Sequence, residues 1–303
     1  MRIGYACINL ELAEQKIQVN RSMVRKTFLS KGIAYASEIA LKNIQDLSKI
    51  IDWNIKQKLF LYRLSSDMFP WMSEYEIEQL PHIGDIQKIM DRIGQKVKEG
   101  NMRLTYHPGH FNVLATNNPV ILTNTIKELR QHGEIMDRLH QPPTPFAKIN
   151  IHVGAAYGDK VSAMERFVEN FKLLPENVRN RLTVENDDKE NMFSVKDLEY
   201  LHHHCRIPVV FDYLHHQFCT GGLSEEQAMS KACDTWSAGI PPVIHFSSQK
   251  KRFEDKAAAE VAHADYIYSR INLYGRDADV MLEAKAKEKA TLRYVKDYRV
   301  RLS

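Results

Sequence analysis

The feature that most constrains this chain is an alternation: eight short β-rich runs separated by amphipathic helical stretches. The runs fall at 2–8, 59–65, 103–107, 148–153, 182–185, 209–212, 243–245 and 280–283. Between them, 38–56, 85–99, 118–139, 160–174, 194–204, 224–238 and 263–273 carry apolar residues at helical spacing. Such alternation implies parallel strands joined by crossover helices. Eight strands are what close a (β/α)8 TIM barrel. An open doubly wound sheet is the competing arrangement, but no Gly-x-Gly-x-x-Gly follows the first run and no Gly-Lys-Ser/Thr loop occurs. The expected architecture is α/β, one TIM-barrel domain over residues 1–303, with a tail from about 292 peripheral to it. Irregular stretches at 11–36, 69–84 and 247–262 each follow a strand, so they belong to the C-terminal face where barrels build their sites.

The residues that end successive runs are chemically alike. Runs three to eight stop on His107, His152, Glu185, Asp212, His245 and Glu283. In a closed barrel these positions ring one cup. Imidazole nitrogens and carboxylate oxygens together suit divalent metals, and clustered carboxylates repel unless cations stand between them. One histidine at a strand end is ordinary; six consecutive ligand-type ends predict a site with more than one metal. Such a cup serves in-line phosphoryl displacement, where one ion activates the attacking water. It also serves sugar isomerisation by polarising a carbonyl.

The chain has 13 histidines, and the rest are read differently. His202, His203 and His204 end a helix and point to different faces, so they suit its C-terminal dipole. His132 and His140 are expected on an exposed helix side. Cys7, Cys205, Cys219 and Cys233 include no C-x-x-C pair and are expected as free thiols. Neither a leader-type apolar segment nor a run of about 18 apolar residues occurs, so a cytoplasmic protein with no membrane partner is expected.

The surroundings of the cup are basic and aromatic. Arg21, Arg25, Lys26 and Lys31 follow the first run with Phe28 and Tyr35, and Gln249-Lys250-Lys251-Arg252 follows the seventh. Cations of this kind hold phosphate backbones, although the net charge is only +4. Phe111, directly after Gly109-His110, is placed to stack on a base or wedge into a distorted duplex.

Several motifs resemble the UV damage endonuclease family, related to the endonuclease IV-like barrels. They are Gly4-Tyr5, the run from Tyr62-Arg63-Leu64-Ser65-Ser66 to Pro70, His107-Pro108-Gly109, His152-Val153-Gly154, Glu185-Asn186-Asp187, Asp212-Tyr213-Leu214-His215-His216, His245-Phe246-Ser247-Ser248-Gln249 and Glu283-Ala284-Lys285. The resemblance implies a nick directly 5′ to UV photoproducts (cyclobutane pyrimidine dimers and 6-4 photoproducts) and at abasic sites. It implies two or three Mn2+ ions, with Zn2+ or Mg2+ as alternatives. The implied ligands are His107, His152, Glu185, Asp212, His215, His245, His263 and Glu283, of which Glu185, His245 and Glu283 carry the chemistry. The implied partner is damaged double-stranded DNA, met by a monomer that in a prokaryote works at the nucleoid. The expected DNA-contacting set is Tyr5, Asn9, Arg21, Arg25, His110, Phe111, Gln249, Lys250 and Arg252.

This chain departs from the family pattern in three places. Glu74 stands near the position of a usual histidine and is expected to ligate instead. Val243 replaces a lysine two residues before the strand-seven histidine. His110-Phe111 replaces a Gln-Tyr probing pair, which keeps the stacking face and loses the hydroxyl. The competing functions are an endonuclease IV-like AP endonuclease, a sugar isomerase or epimerase on the same barrel, and a non-catalytic damage-binding protein.

Overall fold

The computed structural model describes residues 1–301. Its strands are β1 Ile3–Ala6, β2 Leu61–Arg63, β3 Arg103–Thr105, β4 Ile149–Ile151, β5 Leu182–Glu185, β6 Val209–Val210, β7 Val243–Phe246 and β8 Asp279–Leu282. They pair in parallel in two ladders, β3-β2-β1-β8-β7 and β4-β5-β6. Parallel bridges from Tyr106 to Ile149 and from Asp212 to His245 join the ladders at both seams. There the Asn150 N–H donates to the Tyr106 carbonyl at 2.9 Å, and the His245 N–H donates to the Phe211 carbonyl at 2.9 Å. The eight strands therefore form one closed ring, the α/β barrel expected from the alternation.

Strand periodicity of two decides which side chains enter the ring. Ile3, Tyr5, Tyr62, Leu104, Ile149, Val184, Phe211, Ile244, Val280 and Leu282 point outward into the large core beneath the helices. Ala6, Leu61, Val210, Val243 and Met281 have the opposite parity and form a separate small cluster inside, with Trp236. Gly4 shares that inward parity, and a Cβ there would lie 1.7 Å from the Leu61 carbonyl oxygen. Only glycine permits so close an approach of β1 to β2.

The N-terminal end of the ring is plugged by charge. Arg103 is fully buried. It donates to the carbonyls of Phe146, Pro145 and Pro241 and to Asp279 at 3.0 Å. With that end sealed, the open cup lies at the C-terminal ends of the strands.

Three expectations need correction. The stretch 11–36 is not one irregular loop: helices form at Leu10–Glu14 and from Arg25 onward. The second runs to Lys56 and breaks at Gly32, whose φ of 63° is non-helical. Conversely, 263–273 forms no helix. Its N–H groups are taken by tertiary acceptors: Ala264 by the Ser248 carbonyl, Asp265 by Glu254, Tyr268 by Ser248 Oγ and Ile271 by Tyr294. Captured donors cannot close i→i−4 bonds. His132 is not exposed but wholly buried. Its Nε2 meets Ser66 Oγ at 3.0 Å, and its ring lies edge-on to Tyr106 at 4.5 Å. The helix carrying it packs against the barrel through that face, and apolar spacing does not reveal that a histidine sits within it.

Candidate active site

The same parity that hides the interior cluster lifts a polar layer to the rim. Arg63, Thr105, His107, Asn150, His152, Glu185, Asp212, His245 and Glu283 lie on inward positions at or beyond the strand ends. Two overlapping groups of convergent ligand atoms result: His107, His152 and Glu185; and Glu185, Asp212 and His245. Glu185 belongs to both. Its Oε2 lies 3.1 Å from His107 Nε2 and 3.0 Å from His245 Nδ1, and its Oε1 lies 3.5 Å from His215 Nδ1. Glu283 Oε1 lies 3.2 Å from His245 Nδ1. The imidazoles continue as a chain: His107 to His152 at 5.4 Å, His152 to His215 at 5.6 Å and His215 to His263 at 6.4 Å between centroids.

The histidines are aimed by their second nitrogens. Nδ1 of His107 faces the Pro108 carbonyl at 3.2 Å, that of His215 the Asn186 carbonyl at 2.9 Å, and that of His263 the Glu283 carbonyl at 2.9 Å. A proton on Nδ1 donated to these carbonyls leaves the Nε2 lone pair free for a metal. His152 Nδ1 approaches Asp187 Oδ1 at 2.9 Å, a contact of hydrogen-bond length without hydrogen-bond alignment. Asp187→Asn removes the charge beside His152. It is expected to weaken divalent-metal affinity about 10–100-fold in a calorimetric titration while the melting temperature changes little.

The donor set fits divalent metals. Few buried polar atoms in a folded chain lack partners. Nine side-chain atoms do so among the described residues, and two of them, Asp212 Oδ2 and His245 Nδ1, belong to one ligand group. Lone pairs that converge without a shared proton are the arrangement a cation satisfies. Burial, the main cause, pushes Asp212 up to about 6 and His245 down to about 4. Both shifts reflect charge placed in a dry cup.

Inside the ring stands a residue that none of the sequence motifs marked. Lys148 shares the inward parity of Asn150 and His152, is fully buried, and brings Nζ to 3.3 Å from His245 Nε2. Burial pushes its amine down to about 7. Val243, where the family resemblance placed a lysine, lies in the interior apolar cluster. An amine thus meets the strand-seven histidine, but from β4's side of the barrel.

The expected DNA-contacting residues separate into two sets. His110 and Phe111 stand exposed just beyond His107, their rings 4.0 Å apart. Arg25 is exposed, and Arg252 lies over the Phe253 ring at 5.2 Å. Lys250 is paired with Asp265 at 3.1 Å, and Gln249 donates to Glu260 at 2.8 Å. Tyr5 is a correction: as an outward residue of β1 it is fully buried, with its hydroxyl bonded to Asn54 and Asn9. Asn9 is likewise buried and caps the helix Leu10–Glu14 through the Leu12 N–H. Arg21 is spent on Asp46 at 2.6 Å and on the carbonyls of Lys16 and Gln18, so it ties its loop to the next helix. Glu74 is exposed in a short turn and belongs to neither ligand group.

A closed α/β barrel whose C-terminal rim carries overlapping histidine–carboxylate groups that fit divalent metals is the class that the fold and site define. Comparison with known proteins narrows that class. The sequence matches the UV-endonuclease UvdE family over residues 1–301. It is 33% identical over 266 residues to a UV DNA damage endonuclease of Bacillus thuringiensis subsp. konkukian, covering 86% of this chain and 82% of that one. The fold superposes on the crystal structure of SacUVDE with a TM-score of 0.85 at 30% identity, over 99% of this chain and 98% of that one. Endonuclease IV from Thermus thermophilus shares the fold alone, at a TM-score of 0.55 and 12% identity over 99% and 98% of the two chains. The chain belongs to the UV-endonuclease UvdE family and is an endonuclease.

Proposed function

We propose that this chain is a metal-dependent repair endonuclease that nicks damaged duplex DNA directly 5′ to cyclobutane pyrimidine dimers and 6-4 photoproducts, and at abasic sites, leaving a 3′-hydroxyl. The observation that carries the reading is Glu185, shared by two convergent ligand groups beside an exposed aromatic tip. His107, His152, Glu185, Asp212, His215, His245, His263 and Glu283 would hold two or three ions. Three carboxylates among the imidazoles favour Mn2+ over a softer-site Zn2+. When bound, the ions supply Lewis acidity for the scissile phosphate and lower the pKa of the attacking water.

The chain's own groups do the rest. Arg25 and Arg252 would take flanking phosphates. Phe111, 77% exposed, would enter the helix stack at the lesion with His110 beside it. One monomer carries every residue of this site. Phe111→Ala should weaken lesion-duplex binding by about 1–3 kcal/mol, as loss of one stacking face does. A filter-binding comparison of damaged and undamaged duplexes should show that loss on the damaged one only.

The direct test is a 5′-labelled duplex carrying one pyrimidine dimer, incubated with the chain and Mn2+. A single product ending directly 5′ to the dimer supports the reading. Turnover of free ketoses without incision would instead support an isomerase or epimerase on this barrel.

A further inference from the structure

Arg63 is a permanent cation that reaches into the cup beside the ligand groups. It ends β2 on an inward position, and its side chain is 12% exposed. NH1 donates to Glu283 Oε1 at 2.6 Å, the oxygen that also faces His245. Among the described residues this is the only hydrogen bond its guanidinium donates.

A guanidinium carries five N–H donors in one plane and stays charged at every accessible pH. Arg103 shows what a purely structural buried arginine looks like in this barrel: three carbonyls and one carboxylate occupy its donors. Arg63 makes one such bond. None of its nitrogens is among the sealed, unpartnered atoms, so its remaining donors keep some access to solvent. They share that cup with the ligand groups, and Glu185 and His107 both feel the Arg63 charge. The Glu283 tether also stops the long side chain from swinging out to solvent.

Such a fork suits an oxyanion with two or three acceptor oxygens. Charge on the non-bridging oxygens of a phosphodiester is held most tightly by donors fixed before the reaction begins. We propose that Arg63 is a catalytic residue: tethered to Glu283 through NH1, it presents its free N–H groups to a non-bridging oxygen of the scissile phosphodiester. The inference rests on the endonuclease reading above. A lysine at this position lacks the planar fork and cannot hold both partners in one geometry.

The test uses the full chain with Arg63→Met and Arg63→Lys. Single-turnover incision of the dimer-containing duplex is measured beside Mn2+ affinity by calorimetry and the melting temperature of the metal-free protein. R63M should incise about 10²–10³-fold more slowly while Mn2+ and duplex affinities stay close to those of the unmodified chain. R63K should recover only a small part of the rate. Unmodified rates in both variants overturn the inference. So does Mn2+ affinity falling in step with rate, because Arg63 would then act only through Glu283. If R63M does not fold, R63K decides alone, and an unmodified rate overturns the proposal. An unmodified chain that does not incise overturns the function reading itself and is told apart by that control.

Discussion

Glu185→Gln is expected to lower the single-turnover incision rate at least about 10³-fold while leaving affinity for a lesion-bearing duplex nearly unchanged. The substitution keeps the shape of the side chain and removes one negative charge from the point where both ligand groups meet. It also replaces one carboxylate oxygen by an N–H₂ donor among imidazoles that stand 3.1 and 3.0 Å from Oε2 and 3.5 Å from Oε1. Asn150 donates to Oε2, so the remaining amide oxygen is needed there and the N–H₂ is left facing His215. The groups proposed to contact DNA, Phe111, Arg25 and Arg252, touch none of this, which is why binding and cutting should separate. A variant that cuts at the unmodified rate would show that Glu185 holds no metal required for the chemistry.

Asp279→Ala is the second large effect, and it lies at the opposite end of the barrel. Asp279 is buried and accepts from Arg103 at 3.0 Å, from the Arg2 guanidinium at 3.3 Å and from the Arg2 N–H at 2.7 Å. Removing it strands a guanidinium that has no exposure to water. Breaking a buried pair in this way costs about 3–5 kcal/mol. That is a large fraction of the roughly 5–15 kcal/mol by which folded chains are stable. Urea unfolding should show a lower midpoint with an unchanged slope, because the same surface is exposed on unfolding. Incision per folded molecule should be retained, since the plug sits below the interior apolar cluster and the ligands above it. A change under about 1 kcal/mol would show that the three carbonyls hold Arg103 unaided.

The barrel was legible because strand count and alternation leave few ways to close a parallel sheet. The cluster of candidate ligands was legible for a related reason: His107, His152, Glu185, Asp212, His245 and Glu283 each end a run, and ends of parallel strands share one face. Several individual contacts were not. Tyr5 lies in the Gly4-Tyr5 motif, yet it falls between the inward positions Gly4 and Ala6, so parity turns it into the core. The same count, applied to 148, 150 and 152, would have found Lys148, and applied to 61 and 63 it would have found Arg63. Asp187 of the Glu185-Asn186-Asp187 motif carries no role legible in the sequence, because its contact with His152 depends on how two loops fold. Arg21, His132 and the stretch 263–273 were misjudged because tertiary partners claimed them: Asp46, Ser66 with Tyr106, and acceptors on Glu254 and Ser248. No local pattern encodes partners that distant in sequence.

The proposed chemistry is that Glu185 and its neighbours cut DNA by means of divalent ions they hold. It is tested most directly on one 5′-labelled, dimer-containing duplex with protein stripped by EDTA, measuring binding and incision in the same samples. The stripped protein should lose incision, and added Mn2+ should restore a single cut 5′ to the dimer. Incision that survives complete chelation, or that Mn2+ fails to restore to protein still folded, would contradict it.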